Sequence, residues 1–186
     1  MLTKRSLMKY LLLSLFTFFF YTTVFTQDSL QVNNLKIGQW KSHLPYHAGN
    51  WVTQSETTVY YASNFSLFTI EKEDFAVDFI STVDGLSDVG VNIIKYNSAA
   101  EALLVIYNNS NIDLLKPDGI VNFNDIQTNT SIVGDRTVYD IFFEGNAAFL
   151  STGFGIVKLN LDREEFEFTT FTGVPVLGMS IFDGNI

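Results

Sequence analysis

After Gln27 the apolar residues fall in short runs of four to eight, rich in Val, Ile, Tyr, Phe and Thr, separated by Gly, Asn, Asp and Pro. Helical periodicity is scarce, so the pattern predicts strands. A first group is expected at 51–53, 58–62, 67–71 and 75–80. A second is expected at 92–96, 102–107, 111–115 and 120–124, and a third at 137–143, 147–151, 155–159 and 165–171. Leu67, Ile112 and Ile156 fall in register at spacings of 45 and 44 residues. Four short strands repeated at 40–50 residues is the plan of a β-propeller blade. The fold class expected is all-β: about three four-stranded blades of an incomplete, seven-bladed propeller.

The turns support this register. Pro117-Asp118-Gly119 separates the third and fourth strands of the middle repeat: Pro presets φ, Asp bonds back to the backbone, and Gly accepts positive φ. An acidic residue recurs at the equivalent turns (Glu73, Asp118, Asp162). A bulge-like position precedes each third strand, at Ser66, Asn111 and Gly155, where Gly and Asn tolerate left-handed backbone and Ser is a weaker fit. Phe182–Ile186 resembles the opening of a further strand, so the chain is read as the N-terminal part of a longer protein or a truncated product.

The first 26 residues read differently. Lys4, Arg5 and Lys9 precede an uncharged Leu/Phe-rich stretch, and Val24 and Thr26 stand three and one residues before Gln27. This is the pattern of a secretory signal peptide, giving domains 1–26 (signal peptide) and 27–186 (partial propeller). An uncleaved anchor is the competing reading; the run is short for a span and contains Ser14, Thr17, Thr22 and Thr23. No later stretch reads as a membrane span. Losing the three basic residues would move the formal charge from −9 to −12, which disfavours nucleic acid as a partner. The chain has no cysteine, so an exported form must be held by packing alone, and 13 Phe residues after Gln27 supply an aromatic core.

Candidate chemistry is sparse. His43 and His47 are four apart but separated by Pro45, which breaks any shared helix face, and they read as loop residues beside Tyr46. Gly85-Leu86-Ser87-Asp88-Val89-Gly90 has its second Gly one residue too late for a nucleophile elbow and reads as an interblade loop. Asp84 and Asp88 lack the spacing of a calcium loop. Gly153-Phe154-Gly155 lacks the third Gly of a dinucleotide site, and Asp162, Glu164 and Glu165 read as an exposed hairpin tip. Trp40, Tyr46 and Trp51 flank the first blade, where packing competes with sugar stacking. No paired carboxylates of a glycosidase can be placed. No catalytic, cofactor-binding or metal-ligating residue is therefore assigned, no cofactor is expected, and the ligand-binding residues are unknown from sequence.

Three segments carry a resemblance. Ile37–Tyr46 (IGQWKSHLPY), Val83–Gly90 (VDGLSDVG) and Asn109–Leu114 (NSNIDL) resemble the PorZ proteins of the type IX secretion system, the second segment being shared with the propellers of two-component regulators. Ser110 replaces the usual Gly of the third. The resemblance implies a non-enzymatic component of the cell-surface attachment complex, exported to the periplasm or outer-membrane surface. It also implies binding or presentation of anionic lipopolysaccharide to a sortase-like partner of the PorU type, with outer-membrane proteins of the complex as further partners. The alternative is the periplasmic ligand-sensing propeller of a hybrid two-component regulator.

Overall fold

A computed structural model describes residues 48–181, which belong to one compact unit of the chain. The expected signal peptide, His43, His47, Trp40, Tyr46, the Ile37–Tyr46 segment and Phe182–Ile186 lie outside the described residues.

Among the described residues twelve strands form three separate four-stranded antiparallel sheets, each paired in chain order. The first blade holds β1 (Gly49–Gln54), β2 (Thr58–Ser63), β3 (Leu67–Glu71) and β4 (Val77–Ile80). The second holds β5 (Val91–Asn97), β6 (Ala102–Tyr107), β7 (Ile112–Lys116) and β8 (Gly119–Phe123). The third holds β9 (Val138–Glu144), β10 (Ala147–Thr152), β11 (Gly155–Asn160) and β12 (Glu165–Phe171). This is the all-β, incomplete-propeller architecture expected from the repeat. Leu67, Ile112 and Ile156 occupy equivalent ladder sites, opposite Ala62, Ile106 and Ser151.

The middle blade explains why its strands read as continuous apolar runs. All six residues of β6 are buried. Side chains alternate across a strand, so successive residues serve different faces. Leu103, Val105 and Tyr107 join a core with Ala62 and Leu67 of the first blade. Ala102, Leu104 and Ile106 join a second core with Ile141, Leu150 and Leu159 of the third. Each fully buried Leu or Ile contributes roughly 1.5–3 kcal/mol. The stability of the array therefore resides between blades as much as within them.

The innermost strands are tied across the blade boundaries by a repeating side chain. Asn50 at the start of β1 donates its amide to the Val91 carbonyl at 3.1 Å. Asn92, at the corresponding place on β5, donates to the Val138 carbonyl at 3.1 Å. Further along, Thr53 Oγ1 accepts from the Tyr96 N–H at 3.2 Å.

Two local expectations are corrected. Of Ser66, Asn111 and Gly155, only Gly155 has left-handed backbone (φ +151°). There an added Cβ would stand 1.9 Å from the Thr170 carbonyl oxygen, so glycine is required by close approach as well as by φ. In the middle hairpin, which is one residue longer, the positive φ falls on Ser110 (+67°). The first and third hairpins share a side-chain closure: the Ser63 hydroxyl donates to the Ser66 carbonyl at 3.1 Å and the Thr152 hydroxyl to the Gly155 carbonyl at 2.8 Å. The fourth strand of the first blade begins at Val77, not Phe75, because Phe75 itself sits at φ +59° in the turn.

Candidate functional site in the cleft between the first two blades

A cavity of about 610 Å³ opens between the first and second blades where the β1–β2, β5–β6 and β7–β8 turns lie. Its apolar lining comes from Ile80, Leu103, Leu115 and Ile120, residues that pack against the core between the two blades. Tyr60 of β2 and Tyr96 of β5 also line it, with near-parallel rings (13°) whose centroids are 5.6 Å apart. One tyrosine comes from each blade, so the stack exists only once the blades have docked. Offset ring pairs of this kind add about 0.5–1.5 kcal/mol beyond area burial.

The charged lining is mostly acidic, Asp84, Glu101 and Asp118 against Lys116, with Ser55 and Thr57 as neutral polar neighbours. The Lys116 ammonium is held by Glu164 of the third blade at 2.6 Å. Burial, then the neighbouring Tyr60 and the Glu101 carboxylate, push the Tyr96 phenol above its ordinary pKa. Asp84 is held in place locally. Its Oδ2 accepts from the Ser81 N–H (2.9 Å) and hydroxyl (2.7 Å), forming a capping box on the 3-10 turn Thr82–Asp84.

The Gly85–Gly90 segment is the connection between blades, as read from sequence. Gly85 turns the chain at φ +116° and Leu86 enters the core between the first two blades. The Ser87 N–H donates to Asp113 Oδ2 at 2.8 Å. Gly90 donates to the Asn64 carbonyl at 2.7 Å, and its own carbonyl accepts from the Asn108 N–H at 2.8 Å. Asp113 is completely buried; it also accepts from the Tyr107 hydroxyl (2.6 Å) and from Asn122 Nδ2 (2.8 Å). Burial, then the bond to Asp113, raises the Tyr107 phenol far above its ordinary pKa, so it stays a donor.

The remaining sequence candidates have structural partners. Asp88 accepts from the Val89 N–H (2.8 Å) and Asn109 Nδ2 (2.5 Å). The Phe154 and Gly155 N–H groups of the β10–β11 turn donate to Thr152 Oγ1, at 3.4 and 3.0 Å. Asp162, Glu164 and Glu165 are exposed around the β11–β12 turn, bonded to Asn146, Lys116 and Arg163 respectively. Trp51 lies on β1 and is 39% exposed. Among the described residues no group of three or more His, Asp or Glu is placed to hold a metal. Sequence reasoning missed Tyr60, Tyr96 and the buried role of Asp113. It also missed Asn50 and Asn92, although each stands second in an inner strand and the repeat alignment carried that signal.

The sequence pattern of the family "TSS9, PorZ, N-terminal beta-propeller domain" matches residues 59–186. The chain belongs to the PorZ family. PorZ of Porphyromonas gingivalis, an essential bacterial surface component of the type IX secretion system, is 26% identical. The match has a TM-score of 0.65 and covers 71% of this chain but 18% of that one. The PorZ-family chain thus spans about a fifth of the length of that relative. Two further structures share the fold alone. The extracellular domain of the hybrid two-component system BT4673 from B. thetaiotaomicron is 12% identical, covering 72% of this chain and 18% of that one at a TM-score of 0.55. AztD from Citrobacter koseri is 12% identical, covering 69% and 35% at 0.53. No curated protein matches the chain in sequence.

Proposed function

We propose that this chain is the N-terminal propeller portion of a non-enzymatic, PorZ-type component of the cell-surface attachment complex of a type IX secretion system. Residues 1–26 would direct export and 27–186 would form the propeller portion, placed in the periplasm or at the outer-membrane surface. The whole protein would bind or present anionic lipopolysaccharide to a sortase-like, PorU-type partner. The observation that carries this reading is the family match over residues 59–186, supported by 26% identity to P. gingivalis PorZ. Among the described residues no helix is long and apolar enough to cross a membrane.

Electrostatics bears on where such a glycan would be met. Each described Lys and Arg already has a partner. Lys116, Lys158 and Arg163 pair with glutamates and Lys95 with Asp140. Lys72 bonds the Ser55 carbonyl, and Arg136 bonds the carbonyls of Gln127, Asn129 and Ile132. Four of these charges are compensated by carboxylates, while Lys72 and Arg136 bond only neutral carbonyls, so an anionic glycan would meet two isolated cations here, which supports a contact in other parts of a PorZ-length protein. Deleting the gene in its host tests the role. Loss of type IX cargo from the cell surface, with cargo released lacking its lipopolysaccharide, is the expected result. Intact cargo display with an altered transcriptional response to glycans would instead favour the two-component sensor reading.

A further inference from the structure

We propose that the cleft between the first two blades is a docking site for a basic side chain, arginine or lysine, carried on an exposed segment of a partner protein. At about 610 Å³ the cavity is within the size range of sites that enclose a ligand group. Its lining has the two zones such a side chain needs. Leu103, Leu115 and Ile120 offer an apolar wall for the methylene stem, and Asp84, Glu101 and Asp118 supply negative charge for the head group. Of the two cations at the cleft, Lys116 is neutralised by Glu164 at 2.6 Å and Lys72 sits at the rim on the Ser55 carbonyl (2.6 Å), so three carboxylates outweigh one uncompensated ammonium.

The stacked tyrosines add a second attraction. Tyr60 and Tyr96 are only partly buried, and their near-parallel rings present aromatic surface to the cleft. Such surface attracts a guanidinium or ammonium group by its quadrupole. The parts are also preorganised. Asp84 is held by the Ser81 cap, and Tyr96 is anchored through its N–H to Thr53. The same carboxylates repel an anionic glycan, so this site is distinct in chemistry from any lipopolysaccharide contact. The chemistry of the cleft is independent of the secretion role.

The test uses the full chain and capped Gly/Ser nonapeptides bearing one central Arg, Lys or Gln, titrated by NMR at low ionic strength. The Arg and Lys peptides are expected to shift resonances around Tyr60 and Tyr96, and the Gln peptide is not. The double variant Glu101→Gln/Asp118→Asn should weaken binding at least about fivefold. The control Glu73→Gln/Asp162→Asn makes the same charge change at exposed turns outside the cleft and should change binding less than about twofold. Thermal melts confirm that both variants are folded. Equal weakening by both variants would reduce the effect to overall charge and overturn the proposal. So would equal binding of the Gln peptide, or occupation of the cleft by maltotriose and not by the Arg peptide.

Discussion

Ser87, in the connection between the first and second blades, donates its backbone N–H to the buried carboxylate of Asp113, 2.8 Å away and 26 residues later in the chain. The bond fixes a loop to the blade it leads into. The Tyr107 hydroxyl and Asn122 amide satisfy the rest of the carboxylate, so the charge is buried with three donors around it. Asp113→Ala takes this acceptor from the Ser87 N–H and the Tyr107 hydroxyl, while Asn122 Nδ2 keeps Asn111 Oδ1 and the Ile112 carbonyl, and is expected to cost about 3 kcal/mol. Tyr107→Phe removes a single donor and should cost about 1–2 kcal/mol. Urea unfolding of the full chain measures both. A cost for Asp113→Ala below that of Tyr107→Phe would show that the carboxylate does not organise the junction.

The Asn50–Val91 and Asn92–Val138 bonds join successive pairs of blades. Each is a neutral, part-buried hydrogen bond, so Asn50→Ala and Asn92→Ala should each cost about 1 kcal/mol. They lie at different junctions and share no partner. The double variant should therefore be additive within about 0.5 kcal/mol. A coupling larger than that would mean the three inner strands respond as one unit.

Glu167 on β12 accepts from Asn160 Nδ2 (2.8 Å) and Lys158 Nζ (2.7 Å), and pairs with Arg163. These hydrogen bonds, that from Asn160 first, pull its carboxyl from an ordinary 4.5 down to about 2. A depressed folded-state pKa stabilises the fold above the unfolded value. That contribution is lost as pH falls from about 4.5 through about 2. Between those values the melting temperature of the native chain should fall more steeply than that of Glu167→Gln, and the gap between the two should narrow. Parallel acid profiles would show that the carboxylate is not bonded in solution as described here.

Much of the fold was legible because it depends on near neighbours. Pro117-Asp118-Gly119 does make the turn between β7 and β8, with Gly119 at positive φ. The acidic turn residues Glu73, Asp118 and Asp162 are all exposed. Errors arose where two local solutions compete for one turn. Ser110 rather than Asn111 takes the left-handed conformation, because the extra residue of that hairpin moves the reversal one place earlier. The four-residue helix α1 (Asp125–Thr128) was not anticipated; it is too short to show a period, and its own Ile126 lies in the core between the second and third blades.

Asp113 shows the limit most clearly. In sequence it is one aspartate within Asn109–Leu114, a segment noted for resemblance and not for burial. Its neighbours Ile112 and Leu114 point into the core shared with the third blade, while Asp113 faces the first. Period-2 alternation says that adjacent residues diverge, but not what waits on either side.

By itself, then, the order of residues determined twelve strands, their grouping by fours and the register of the repeat. Strand propensity, alternation and turn chemistry are decided within a few residues of chain. Only the tertiary structure decided which face of β6 meets which blade, which carboxylate is buried and paired, and that Tyr60 and Tyr96 stack beside Glu101 in one cleft. Those outcomes depend on blade docking, a contact between segments tens of residues apart whose free energy comes from surfaces that no short window of sequence contains.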